Sequence, residues 1–145
     1  GDIGVFGHGY TYTGHPVSCA VALKTLEIYE RDKVFQHAEK VGKYFQNSMK
    51  DILKEDYVGE VRGIGLIAGI ELYKDPSNKI PFEEAGKAGK ILSDTCQKNG
   101  LIVRPILDTV ALCPPLIISE KEVDELTDKL KKSLQEAKDE IMKIH

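Results

Sequence analysis

The run Val61-Arg62-Gly63-Ile64-Gly65-Leu66-Ile67-Ala68-Gly69-Ile70-Glu71-Leu72 decides the fold. With its flanking residues it reads as two β segments, Tyr57–Gly65 and Leu66–Tyr73, rich in branched apolar side chains and punctuated by glycine. Two segments this close in the chain pair most naturally as a hairpin. Immediately before them, Val34, Ala38, Val41, Phe45, Met49 and Ile52 recur at spacings of three and four with lysines and glutamates between, which predicts an amphipathic helix over about 34–53. Immediately after them, Asp75-Pro76-Ser77-Asn78 is a turn, and a helix is predicted from Glu83 to Lys98, stopped by Asn99-Gly100. Two further short strands follow: Leu101–Arg104, ended by Pro105, and Thr109–Cys113, ended by Pro114-Pro115. Ser119-Glu120-Lys121-Glu122 has the spacing of a capping box and opens a last helix, on which Val123, Leu126, Leu130, Leu134, Ala137 and Ile141 line one face.

At the N-terminal end, glycines at 1, 4, 7, 9 and 14 interleave with Tyr10-Thr11-Tyr12-Thr13, which is loop chemistry. Pro16 stands where a first helical residue tolerates the missing N–H, and a helix is expected from Pro16 to about Tyr29. Its apolar residues run nearly all round, so it calls for burial against a larger body. The element order is helix, helix, strand, strand, helix, strand, strand, helix. That order predicts an α+β or mixed α/β fold in which a small sheet of about four strands is covered by helices.

A chain of 145 residues is about one domain's worth, and 41% hydrophobic with 30% charged residues is the composition of a folding chain. Twenty basic against twenty-three acidic side chains give a net charge of −3, which leaves no electrostatic footprint for nucleic acid. No apolar run approaches the roughly 20 residues of a membrane-spanning helix. The opening Gly1-Asp2-Ile3-Gly4 lacks the basic region of a secretory signal. The three cysteines, Cys19, Cys96 and Cys113, are odd in number and far apart, so neither a disulfide framework nor a zinc knuckle is expected, and a cytoplasmic location fits. With no Met at position 1 and a start inside a glycine-rich stretch, the expectation is a chain cut from something longer.

Chemistry points to two places. In Gly7-His8-Gly9-Tyr10-Thr11-Tyr12-Thr13-Gly14-His15-Pro16, glycines permit close backbone approach, two threonine hydroxyls can donate to phosphate oxygens, and a helix N-terminus follows. These are the parts of an anion site; equally, they suit a loop and helix entry whose threonines satisfy local backbone groups. The second place is Arg104. Only three arginines, Arg31, Arg62 and Arg104, stand against seventeen lysines, so a rigid bidentate fork has been used sparingly. On spacing alone, both Arg62 and Arg104 would pair with neighbouring carboxylates. The histidines at 8, 15, 37 and 145 have no metal-ligand spacing, so structural hydrogen bonding is the most expected of them. Cys19, in an apolar helix, is expected to be a small core residue, and the lysines of the last helix to form a solvated face.

The run His8–Pro16 followed by an alanine-rich helix resembles the phosphate-contacting signature of class III aminotransferases, pyridoxal-phosphate enzymes of fold type I. Val61–Leu72 resembles that family's strand pair in the small domain, and Gly100–Pro105 with Leu112–Leu116 resembles its C-terminal strands. The resemblance implies a remnant of the large cofactor-binding domain over 1–32 and the C-terminal small domain over 33–145. It implies that Thr11, next to Tyr10, reaches across a homodimer interface to the phosphate of the neighbouring subunit's pyridoxal 5'-phosphate. It also implies that Arg104 binds the substrate carboxylate. The family's Schiff-base lysine, its ring-nitrogen carboxylate and its stacking aromatic all precede the His-Gly-Tyr-Thr block, and no lysine here has that context. The intact protein is therefore expected to move an amino group between an amino acid or amine donor and an oxo acid such as pyruvate, and this chain alone to be inactive. An aminomutase branch of the family, or a non-catalytic interaction or regulatory domain on the same fold, would carry the same strand signatures.

Overall fold

The computed structural model describes residue 4 and residues 7–144. The opening Gly1-Asp2-Ile3 and His145, both used above, lie outside the described residues. The chain divides into two compact units, Gly1–Val34 and Phe35–His145.

The first unit is a loop that turns at Tyr10–Gly14 and leads into helix α1, Pro16–Arg31. Pro16 opens the helix as its position predicts, and the His15 Nδ1 atom caps it by accepting from the Ser18 N–H at 3.5 Å. No residue of α1 is buried, and Cys19 is exposed. The expectation of a core cysteine is corrected: an apolar helix surface buries a residue only where something covers it, and nothing in the described chain covers this one.

The second unit contains α2 (Val34–Met49) from its second residue on, a 3-10 turn (Lys50–Lys54), β1 (Val58–Ile64), β2 (Ile67–Leu72), α3 (Lys87–Lys98), β3 (Arg104–Ile106), β4 (Thr109–Leu112) and α4 (Glu120–Ile141). The strands form one antiparallel sheet in the order β1-β2-β4-β3. This is the mixed α/β fold that the order of elements predicts. One sheet face carries Ala68, Ile70, Leu72, Val110 and Leu112 into the core, where they meet Phe45 and Met49 of α2, Leu92 and Cys96 of α3, and Val123, Leu130, Leu134 and Ile141 of α4. Strand alternation therefore turns Glu60, Arg62, Gly69, Glu71, Arg104, Thr109 and Ala111 to the other face.

Boundaries shift for local reasons. The helix expected from Glu83 starts at Lys87, because Gly86 takes a left-handed φ of 85° that stops regular helix from extending back through it. The strand expected over Leu101–Arg104 instead begins at Arg104 and runs through Pro105 to Ile106. The proline does not end the strand, because β3 is an edge strand and can accommodate it. Ile106 and Thr109 close a two-residue turn, so Pro105, opposite Val110, sits where a backbone N–H would point away from β4.

The β1–β2 turn, Gly65-Leu66, is seated on α2. Gly65 has φ +55°, and a Cβ on Gly42 would come within 2.9 Å of the Gly65 Cα, so the helix and turn backbones meet directly. One helical turn on, Gln46 Nε2 donates to the carbonyls of Gly65 and Ile67 at 2.9 and 3.0 Å. At α4 the capping box is complete: the Ser119 N–H donates to Glu122 Oε2 at 2.8 Å, and the Glu122 N–H to Ser119 Oγ at 3.3 Å.

Candidate active site

The first unit carries Tyr10 and Thr11. The Tyr10 N–H donates to Thr13 Oγ1 at 2.8 Å, the Thr13 N–H returns to the Tyr10 carbonyl at 2.9 Å, and the His15 N–H reaches the Tyr12 carbonyl at 3.2 Å. These bonds close a tight turn with Thr11 at its tip. The two threonines, equivalent by composition, thus differ: Thr13 uses its hydroxyl oxygen to fasten the loop, whereas Thr11 Oγ1 has no hydrogen-bond partner among the described residues. Tyr10 is 75% exposed, and its ring meets His8 edge-on at 5.2 Å between centroids. An exposed hydroxyl at a turn tip just before a helix N-terminus fits a phosphate oxygen.

The second unit carries Arg104, at the start of β3. Register places Arg62, Gly69, Ala111 and Arg104 in one row across all four strands of the open sheet face. The two arginines at its ends behave differently. Arg62 Nη1 lies 2.7 Å from Glu71 Oε2 and 3.7 Å from Glu60 Oε1, and the Glu71 hydrogen bond raises its pKa further. It offsets two glutamates that the register sets opposite each other, which is the structural role its sequence context suggests. Arg31 pairs with Asp32 at 2.7 Å. Arg104 is exposed and has no ion-pair partner among the described residues. The pairing with a neighbouring carboxylate expected of Arg104 is therefore corrected. Its cross-strand neighbour is the small, neutral Ala111, and no acidic side chain competes for its fork. Tyr10 and Thr11 thus belong to one unit and Arg104 to the other.

The turn that follows β3 holds a residue that sequence reasoning passed over. Asp108 Oδ2 accepts from the Gly86 N–H at 2.9 Å and Oδ1 from the Gly89 N–H at 3.1 Å, so its carboxylate caps α3 from 19 and 22 residues away. Gly86 offers no side-chain cap of its own. The signal available was an aspartate in a tight turn, which reads locally as turn chemistry and does not disclose a distant helix.

Two histidines have structural uses: His37 Nε2 bonds the Ile118 carbonyl at 2.8 Å and His15 caps α1. Among the described residues no group of His, Cys, Asp or Glu could hold a metal ion, and no described helix is long and apolar enough to cross a membrane. No described lysine is buried; Lys129, Lys131 and Lys138, the half-buried ones, each face a carboxylate. Among the described residues, Thr11 Oγ1 without a hydrogen-bond partner and the exposed Arg104 guanidinium without an ion-pair partner are both able to receive an anion.

The family model for class-III aminotransferases matches residues 2–134. The chain belongs to the class III aminotransferases. It is 37% identical over 142 residues to a probable gamma-aminobutyrate transaminase 3, mitochondrial, of Oryza sativa subsp. indica, in an alignment that covers 98% of this chain and 28% of that protein. It is also 37% identical over 142 residues to a gamma aminobutyrate transaminase 3, chloroplastic, of Solanum lycopersicum, covering 98% and 27%. Among solved structures, a transaminase with L-ala superposes with a TM-score of 0.87 at 39% identity, covering 97% of this chain and 33% of that one. The omega transaminase of Pseudomonas jessenii in complex with PMP gives 0.86 at 36% identity, covering 97% and 31%. This class III chain thus spans about a quarter to a third of the length of these relatives.

Proposed function

We propose that this class III chain is the C-terminal portion of a pyridoxal-phosphate-dependent aminotransferase and that it supplies two anion-binding groups to the complete homodimeric enzyme. Thr11 would donate to the phosphate of the cofactor held by the neighbouring subunit, with Tyr10 beside it. Arg104 would receive the carboxylate of the amino or oxo acid. When bound, the cofactor supplies the electron sink that the transfer of an amino group requires. The part of this chain is orientation: a bidentate guanidinium fixes the carboxylate end of a substrate and so sets where its amino or oxo carbon stands.

The observation that carries this reading is that Arg104, alone among the three arginines, has no carboxylate within ion-pair reach among the described residues. An exposed bidentate donor on an open sheet face is ready for an anion from outside. An amine donor without a carboxylate would be served without it. With its described lysines solvated or ion-paired, the isolated chain would bind cofactor weakly and transaminate nothing.

The test is Arg104→Ala in the full-length gene product. The KM for an oxo-acid acceptor should rise by about ten- to a hundredfold, on the order of the 1.5–3 kcal/mol of a charge-assisted bond, while the KM for a carboxylate-free amine donor stays within about twofold. An unchanged oxo-acid KM would remove Arg104 from the site.

A further inference from the structure

We propose that Asp108 is a positioning residue for Arg104: by tying the β3–β4 turn to the N-terminus of α3, it fixes the strand from which the arginine reaches substrate. This rests on the reading of Arg104 as the carboxylate receptor.

The strand that carries Arg104 is poorly held by the sheet itself. β3 has three residues, pairs on one side only, and includes a proline that contributes no N–H. Its turn runs through Leu107, which holds a left-handed φ of 52° without being glycine, a conformation that persists only where the surroundings impose it. Those surroundings are α3 and the end of β2. Besides the two hydrogen bonds from Gly86 and Gly89 to the Asp108 carboxylate, the Asp108 carbonyl accepts from the Leu72 N–H at 2.9 Å. A Cβ on Gly89 would stand 2.0 Å from the Leu107 carbonyl oxygen, and one on Gly86 would stand 3.5 Å from the Leu107 Cα. The helix start is thus shaped by two glycines to receive this turn at backbone distance, and the aspartate locks it there.

The geometry is a short lever. Asp108 lies four residues from Arg104, and β3 is joined to the sheet through β4, with Arg104 opposite Ala111, Pro105 opposite Val110 and Ile106 opposite Thr109. Releasing the carboxylate leaves two helix N–H groups without their acceptor and frees the left-handed turn to relax. The edge strand then moves with it. A guanidinium that must meet a carboxylate with two aligned bonds is sensitive to such movement, since a displacement of about 1 Å can cost up to a hundredfold in effective positioning.

The experiment compares Asp108→Ala, Asp108→Asn and Arg104→Ala in the full-length holoenzyme. Asp108→Ala should raise the KM for an oxo-acid acceptor about tenfold, leave the KM for a carboxylate-free amine donor within about twofold, and abolish the hydrogen-exchange protection of the Gly86 and Gly89 amides. Asp108→Asn keeps one acceptor oxygen and should fall between wild type and alanine; if the alanine variant does not fold, the asparagine variant decides by the same split. Equal shifts for the two substrates would make Asp108 a structural cap only and overturn the proposal. So would an unchanged oxo-acid KM in Asp108→Ala while Arg104→Ala raises it, and in that case the Arg104 reading survives. An oxo-acid KM unmoved by Arg104→Ala defeats that reading itself, and the positioning role with it.

Discussion

Tyr57 carries its hydroxyl into the core beside β1 and donates to the Leu134 carbonyl of α4 at 2.6 Å, with no side-chain surface left to solvent. Burial pushes its phenol well above the ordinary tyrosine value, with the nearby Glu55 charge adding to the shift. A group whose folded-state pKa is raised contributes stability that is intact below its unfolded value near 10 and is lost as pH rises beyond it. The fold should therefore lose stability above about pH 10, and Tyr57→Phe should flatten that alkaline decline while costing about 1 kcal/mol at neutral pH. Denaturant melts at neutral pH and about half a unit above the ordinary tyrosine value check both. A residue's class is legible in the sequence more often than its partner. Arg62 and Arg104 look alike there, and each faces a small residue directly, Gly69 and Ala111; what separates them is the next residue along, since Glu71 stands diagonally from Arg62 and pairs with it at 2.7 Å while no carboxylate among the described residues reaches Arg104. Thr11 and Thr13 look alike too, until the turn places one hydroxyl inward. Nearest neighbours in space are a property of pairing, and a single sequence carries little of it.

Elements are legible where periodicity or a cap speaks locally. The apolar face of α4 is buried at Val123, Leu130, Leu134, Ala137 and Ile141, and its box at Ser119 and Glu122 closes as spaced. Ser119→Ala should cost about 1 kcal/mol. Elements are misread where their ends depend on another element. The start of α3 is set by Gly86 and by an aspartate in a distant hairpin, and the reach of β3 is set by its being at the sheet edge. The same dependence predicts a larger effect at a glycine that composition alone makes unremarkable. Gly89→Ala should cost about 2 kcal/mol or more, exceeding Ser119→Ala, because the added methyl meets a backbone oxygen that cannot step aside. Thermal melts of the two variants rank them directly.

At the scale of the whole molecule the two units differ in what sustains them. The Phe35–His145 unit has a continuous core of helix and sheet side chains, whereas α1 has no buried residue and 16 residues of helix are marginal in water on propensity alone. Removing residues 1–34 should leave the melting of the remainder within a few degrees, and in the isolated chain the amides of α1 should exchange far faster than those of α4. Circular dichroism and hydrogen exchange test this; a joint collapse of both units would refute it. The apolar surface of α1 is legible as a demand for cover, but a sequence does not say where its cover resides. The edge position of Pro105 has a consequence of another kind. A short edge strand is also an invitation to a neighbouring copy, which could add its own strand there. Because its imino nitrogen has no hydrogen to offer on that outer side, the proline makes β3 a poor template for intermolecular pairing. The protein can leave the arginine's side of the sheet uncovered without making that edge a seed for aggregation.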